Sequence, residues 1–217
     1  MSQNNAGIRR DRKIGQRAAP AATLAILLLL SACESPPPPQ LTAADAADID
    51  RVTAYLNSIP RFAAHFVQFG SFGPDSGVVW VDRPAGHLRI DYAKARVMVI
   101  ADGQVQILDR GNGATTTMPV SSTPLGMLLT PAIDLSGAIT VESVVHQPGS
   151  MQITLEKTGQ RSRGSLTLTL AEQPLRLAAV TVTDREQRTL TMSLYRIDPA
   201  PTLTPGMFLP PTASPDG

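Results

Sequence analysis

Between about residue 62 and residue 198, apolar and polar side chains alternate with period two across short runs broken by turn signals. In Gly164-Ser165-Leu166-Thr167-Leu168-Thr169-Leu170 the leucines fall on one side and Ser and Thr on the other. Leu190, Met192 and Leu194 alternate with Thr189, Thr191 and Ser193, and Val180 and Val182 with Thr181 and Thr183. Successive side chains of a strand point to opposite faces, so this pattern predicts strands with one apolar and one polar face. Eleven such runs are predicted, at 62–69, 77–83, 87–92, 96–101, 104–109, 114–119, 139–146, 150–157, 164–170, 175–184 and 188–198. Explicit turns such as Ala101-Asp102-Gly103 and Gly111-Asn112-Gly113 separate them. Close spacing implies an antiparallel meander, because parallel strands need long crossovers. The expected fold class is mainly β: a sheet too long to stay flat, curled around its apolar face as an incomplete barrel.

Something must cover that face. Residues 42–59 carry a helical pattern, with Ile49, Val52, Leu56 and Ile59 on one side and Asp48, Asp50 and Arg51 on the other. Thr42 and Asp45 have capping-box spacing, and Pro60 ends the segment. A second apolar segment, Thr123-Pro124-Leu125-Gly126-Met127-Leu128-Leu129-Thr130-Pro131, interrupts the meander with proline at a first helical position. It is expected to form a short helix, to lie in the middle of the sheet order and to fold over the curled face. Ile49, Val52, Leu56, Leu125, Leu128 and Leu129 are then the cover residues. Alternation alone does not distinguish a barrel filled by its own side chains from a hollow one.

The chain begins with a different composition. Arg9, Arg10, Arg12, Lys13 and Arg17 precede an apolar run from Ala21 to Leu30 and then Leu30-Ser31-Ala32-Cys33. The run is shorter than the ~20 residues of a membrane-spanning helix. A basic start, a short apolar stretch and small residues before a cut make residues 1–32 a signal peptide. The order Leu-Ser-Ala-Cys resembles the bacterial lipobox, which predicts a lipid attached to Cys33, the only cysteine. The alternative is an ordinary thiol. Pro36 to Pro39 then favour a stiff polyproline II spacer, so residues 33–41 read as a tether, 42–211 as one domain and 212–217 as a tail. Without residues 1–32 the chain keeps 14 basic and 17 acidic residues, a net charge of −3. A mildly acidic surface without a basic cluster argues against nucleic acid as a partner.

Signals for catalysis are weak. His65, His87 and His146 are scattered, without a metal-binding spacing. There is no G-x-S-x-G elbow, and Gly111 and Gly113 fit a hairpin turn better than a phosphate loop. Asp91, Asp102 and Asp109 fall near strand ends or turns. The expectation is a protein that is not an enzyme and uses no cofactor.

Several stretches resemble the outer-membrane lipoprotein carrier (LolA) family. Gly77-Val78-Val79-Trp80-Val81-Asp82-Arg83-Pro84 is similar to its G-x-L-W-V-x-R-P stretch, and Leu88-Arg89-Ile90-Asp91-Tyr92 to its F-R-W-D/E-Y. Val99-Ile100-Ala101-Asp102-Gly103, Ser122-Thr123-Pro124-Leu125 and Phe208-Leu209-Pro210-Pro211 follow in the family's order, over roughly residues 45–211. The resemblance implies a half-open antiparallel β-barrel with a helical lid over a cavity that accepts acyl chains. It implies acylated lipoproteins or lipid as cargo, carried through the periplasm of a Gram-negative bacterium to the outer membrane, and an inner-membrane lipoprotein-releasing transporter as partner. Arg83 matches the arginine that holds the lid shut through hydrogen bonds to lid backbone. Counting in twos from Val79 and Val81 also puts Arg83 on the apolar face, where its donors need acceptors; the alternative is a strand-end arginine reaching for water. By parity the acyl-chain cavity is expected to use Val79, Val81, Leu88, Ile90, Tyr92, Leu166, Leu168, Met192 and Leu194, with Trp80 on the opposite face.

Two departures from the family pattern bear on these expectations. Pro84-Ala85-Gly86-His87-Leu88 is one residue longer than the usual turn, and a bulge there would shift the parity of the residues after it. The family's carriers are soluble, whereas Cys33 points to a membrane anchor like that of the related acceptor family, LolB. Glu34 after the cysteine, in place of Asp, favours the outer membrane over inner-membrane retention. The expected protein is a monomer, lipid-anchored on the periplasmic side of the outer membrane or soluble in the periplasm, acting as carrier or acceptor. A tethered module with a packed core, binding a protein partner, is the rival.

Overall fold

The computed structural model describes residues 41–160 and 164–212. They lie in the second of two units into which the chain divides, Pro38–Gly217. Residues 1–32, Cys33, nearly all of the 33–41 tether and residues 213–217 of the tail lie outside the described residues.

Eleven strands form: β1 (Arg61–Gly70), β2 (Asp75–Asp82), β3 (His87–Tyr92), β4 (Arg96–Ala101), β5 (Gln104–Asp109), β6 (Thr115–Pro119), β7 (Ile139–Gln147), β8 (Ser150–Lys157), β9 (Ser165–Glu172), β10 (Leu175–Thr183) and β11 (Thr189–Asp198). They make one open antiparallel sheet in the order β6-β5-β4-β3-β2-β1-β11-β10-β9-β8-β7. The first and last strands pair in its middle, and β6 and β7 are its free edges. This corrects the placement of the 120–138 connection. It does not lie in the middle of the sheet order, because the closing pair β1–β11 puts it between the two edges. A segment that leaves one edge and returns to the other must cross the opening.

Within the sheet the alternation sets the faces. Met151, Ile153 and Leu155 of β8 and Leu166, Leu168 and Leu170 of β9 are fully buried on the concave side. On the convex side the hydroxyls of Thr154 and Thr167 meet at 3.1 Å, and those of Thr181 and Thr191 at 2.9 Å. Bulges bend β11 opposite Ala63/His65, β7 at Val141/Ser143 and β10 at Leu177/Ala179, the local kinks a curled sheet needs. No bulge follows Pro84. The extra residue is absorbed by a 3₁₀ turn, Arg83–Ala85, closed by Gly86 at φ 70°, and β2 pairs with β3 without a shift from Asp82↔His87 to Gly77↔Tyr92. Parity therefore survives, and Leu88, Ile90 and Tyr92 face inward.

Helix α1 (Ala43–Ser58) starts as predicted. The Asp45 backbone N–H donates to Thr42 Oγ1 (3.2 Å), and the Thr42 N–H donates to Asp45 Oδ2 (2.7 Å). Those bonds to Thr42 hold the Asp45 carboxyl below its ordinary value. Val52 and Leu56 are buried, each worth roughly 1.5–3 kcal/mol, and Ile49 packs beside them. The second cover segment is a 3₁₀ helix, Pro124–Leu128, with proline at its start. Five residues containing a glycine, with Pro131 close behind, are too few for α-helical hydrogen bonding.

The convex face is not polar throughout. Val97 and Val99 of β4 point outward, yet both are buried with Phe208 under the C-terminal segment, where Trp80, Leu203 and Met207 join them. Arg89 Nη1 fixes this strap by donating to the Met207 carbonyl at 3.0 Å.

Candidate acyl-chain cavity

Beneath the 3₁₀ helix lies a cavity of about 100 Å³. Val79, Val81, Leu88, Ile90 and Tyr92 from β2 and β3, and Met192 and Leu194 from β11, form its walls. Leu56 from α1 and Leu125, Leu128 and Leu129 from the 3₁₀ segment form its cover. Four predicted residues lie elsewhere. Leu166 and Leu168 are sealed in the packed half of the concave face, and Ile49 and Val52 press α1 onto the core without reaching the cavity. Val180, Val182 and Leu190 line the wall and follow the same alternation. Phe62, Met98, Leu177, Ile59 and Ile133 complete it, the last two from loops that carry no strand pattern.

Among the described residues Arg83 is the single charged side chain on this wall. It is 3% exposed. Its guanidinium donates from Nη2 to the Leu56 carbonyl at the end of α1 and from Nη1 to Asn57 Oδ1 (3.4 Å). No carboxylate pairs with it among the described residues. Burial alone pushes its pKa down. Asn57 carries the connection onward: Oδ1 accepts from the Ile133 N–H (2.9 Å) and Nδ2 donates to the Ile133 carbonyl (3.0 Å). Arg83 thus ties the end of β2 to α1, and Asn57 ties α1 to the return of the cover segment. The sequence pattern did not single out Asn57; its place at the end of a helix before Ile59-Pro60 is its only signal.

The rest of α1 is fastened to the sheet. Asp48, 8% exposed, has its Oδ2 3.0 Å from His146 Nε2 of β7 and pairs with Arg51 Nη1 (3.3 Å). Arg51 Nη2 and His146 Nδ1 each stand 3.8 Å from Glu172 Oε1 at the end of β9. Tyr55 Oη accepts from the Leu177 N–H of β10 at 3.0 Å. The cover segment is held differently. Its start is fixed by the Val120 N–H donating to the Gly103 carbonyl (2.9 Å) and its return by Asn57. Between them no hydrogen bond joins residues 124–132 to the sheet among the described residues. That stretch is held by apolar contact between two fixed ends, the arrangement of a part that opens at low local cost.

The wall can take up hydrocarbon and little else. Its only other polar atom of note is the Tyr92 hydroxyl, whose pKa burial pushes up to about 12. Among the described residues no group of His, Cys, Asp and Glu could hold a metal ion, and no helix is long and apolar enough to cross a membrane.

The family model described as outer membrane lipoprotein carrier protein LolA matches residues 57–210. No curated protein matches the sequence. Solved structures are similar at low identity. An uncharacterized conserved protein from Thermus thermophilus is 15% identical with a TM-score of 0.43, over 75% of this chain and 91% of its own. A putative outer membrane lipoprotein-sorting protein domain from Vibrio parahaemolyticus is 6% identical with a TM-score of 0.46, over 75% and 95%. The lipoprotein LppX from Mycobacterium tuberculosis is 7% identical with a TM-score of 0.39, over 75% and 100%.

Proposed function

This chain belongs to the outer membrane lipoprotein carrier (LolA) family, and we propose that it binds the acyl chains of lipoproteins in its concave cavity and moves them through the periplasm to the outer membrane. The observation that carries this reading is the hydrocarbon-lined cavity under a cover fixed at its ends and free between them. An apolar cavity of ~150 Å³ takes up one benzene ring, so a space of about 100 Å³ does not hold a whole acyl chain with the cover in place. Loading therefore displaces the 124–132 stretch. Each buried methylene contributes roughly 0.8 kcal/mol, so a chain of some fifteen methylenes gains about 12 kcal/mol gross, ample to displace Leu125, Leu128 and Leu129. Unloading against that gain calls for a partner or a better apolar site, and loading for the inner-membrane lipoprotein-releasing transporter. No cofactor or catalysis enters. We place the domain as a monomer, anchored through a lipid on Cys33 to the periplasmic face of the outer membrane.

A second reading, acceptor at that membrane, draws support from one end of the sheet. Phe69 and Phe72, at and beyond the end of β1, are 58% and 52% exposed. Arg188 lies 5.2 Å over the Phe72 ring. Exposed aromatic rings, one with a cation over it, suit a lipid headgroup layer. Vesicle sedimentation tests this, with weaker binding expected for Phe72→Glu and unchanged binding counting against it. For the main reading, mass spectrometry of protein purified from membranes should find an acylated Cys33 and co-purified acyl chains. A wild-type protein that neither carries lipid nor binds a fluorescent acyl probe would return the fold to a tethered module with a packed core.

A further inference from the structure

The cover segment separates two spaces. Its leucines face the apolar cavity, while Pro124, Gly126, Met127 and Thr130 line a second cavity of about 400 Å³ on its other side. Ser121, Ser122, Thr123 and Asp134 of the connection also line it, with Lys157 from the end of β8. Lys157 continues the parity of Met151, Ile153 and Leu155, so it ends β8 on the concave face. Other charged side chains that end strands on this parity are engaged. Arg83 binds Leu56 and Asn57, Arg96 stacks 5.5 Å over Tyr92, and His146 and Glu172 hold α1. Lys157 has no ion pair or side-chain hydrogen bond among the described residues. The one carboxylate in this cavity among the described residues, Asp134, already accepts from the Ser136 N–H (2.8 Å) and hydroxyl (2.5 Å), which hold its pKa down.

We infer that the second cavity is the site for the anionic polar end of the amphiphile whose hydrocarbon occupies the first, with the Lys157 ammonium as its counter-charge. This rests on the carrier reading only in taking the first cavity as an acyl-chain site, and it widens the cargo to anionic lipid, because the acylated cysteine of a lipoprotein carries no anion. An amphiphile bound by its tail must leave its polar end in a polar place, since burying that end unpaired costs several kcal/mol. The two cavities share the 3₁₀ segment as a wall, so displacing it for the tail joins them. A cation on the second cavity selects a phosphate or other anion over a neutral head. A half-exposed ion pair of this kind is worth about a fivefold change in affinity.

Full-length protein is titrated with three probes: hexadecanol, hexadecanoyl lysophosphatidylglycerol and inorganic phosphate. Wild type should bind the lysolipid more tightly than the alcohol. Lys157→Gln should weaken the lysolipid about fivefold and leave the alcohol unchanged, and Lys157→Arg should restore binding. Unchanged affinity for both lipids in Lys157→Gln overturns the headgroup site and leaves the carrier reading standing. Lys157-dependent binding of inorganic phosphate, without an effect on the lysolipid, overturns it in favour of a free-anion site. Wild-type binding of neither hydrocarbon overturns both readings.

Discussion

Replacing Arg83 with leucine should tighten cargo binding while leaving the fold about as stable as before. The guanidinium is 3% exposed and meets two neutral acceptors and no carboxylate. Hydrogen bonds from a charged donor contribute about 1.5–3 kcal/mol each, but taking the cation out of water costs several kcal/mol. These nearly offset. Nor does its loss orphan an acceptor, because the Leu56 carbonyl still accepts from the Ile59 N–H (3.3 Å) and Asn57 Oδ1 from the Ile133 N–H. A net change within about 1 kcal/mol is expected, or 2–4 °C in Tm for a domain of this size. The functional effect is larger, because the bonds stabilise only the closed, empty state. If loading breaks the equivalent of one of them, removing it shifts the equilibrium towards the loaded form by about 1.4 kcal/mol, a tenfold tighter apparent Kd. A fluorescent acyl probe, titrated and then chased with vesicles, measures affinity and release, and circular dichroism measures Tm. A Kd within twofold of wild type shows that Arg83 is no clamp. A Tm loss above about 10 °C shows that it is structural, and either result refutes the reasoning.

Three further outcomes follow from the same geometry. Asn57→Ala leaves both Ile133 backbone groups without their partner, so a loss of about 1–3 kcal/mol is expected, with faster hydrogen exchange across residues 124–135 in particular. Val180→Phe places a ring in the cavity and should weaken an acyl probe at least about tenfold with little change in Tm; undiminished binding would place the hydrocarbon elsewhere. Tyr92, raised to about 12 by burial against roughly 10 in the unfolded chain, stays protonated longer when folded. Its contribution of about 2–3 kcal/mol is therefore complete below pH ~10 and is lost as pH rises towards ~12. Urea midpoints across that window should fall in wild type and fall less in Tyr92→Phe.

The strands were legible because alternation records a physical necessity: a one-residue slip would turn every leucine of β9 to water. What was missed lay where period two gives no information. The unbroken run Val97-Met98-Val99-Ile100 marked β4 as covered on both faces, but the cover, Leu203 to Phe208, has no periodicity of its own. The order of the sheet turned on β1 meeting β11, a pairing across the whole chain that no local turn announces. Arg83 was named by the family resemblance, parity put it on the apolar face, and there its guanidinium bonds Leu56 and Asn57. Asn57 was missed because its role depends on Ile133 arriving from 76 residues away.

Whether the curled sheet was filled or hollow depended on side-chain size, which alternation ignores. The packed half is walled by Met151, Ile153, Leu155, Leu166, Leu168 and Leu170, long side chains that reach the cover from one side of the sheet. In the hollow half valines recur at the matching positions: Val79 and Val81 in β2, Val180 and Val182 in β10. Val79 pairs with Ala64 on β1, and neither extends far from the sheet. Each valine is one methylene shorter than leucine, and close packing leaves no slack to make up the difference. Arg83 sits at the end of that same β2, where a long polar side chain can cross the gap the valines leave and bind the cover beyond it. The clamp and the cavity are therefore two consequences of one pattern, small side chains on β2 with an arginine at their end.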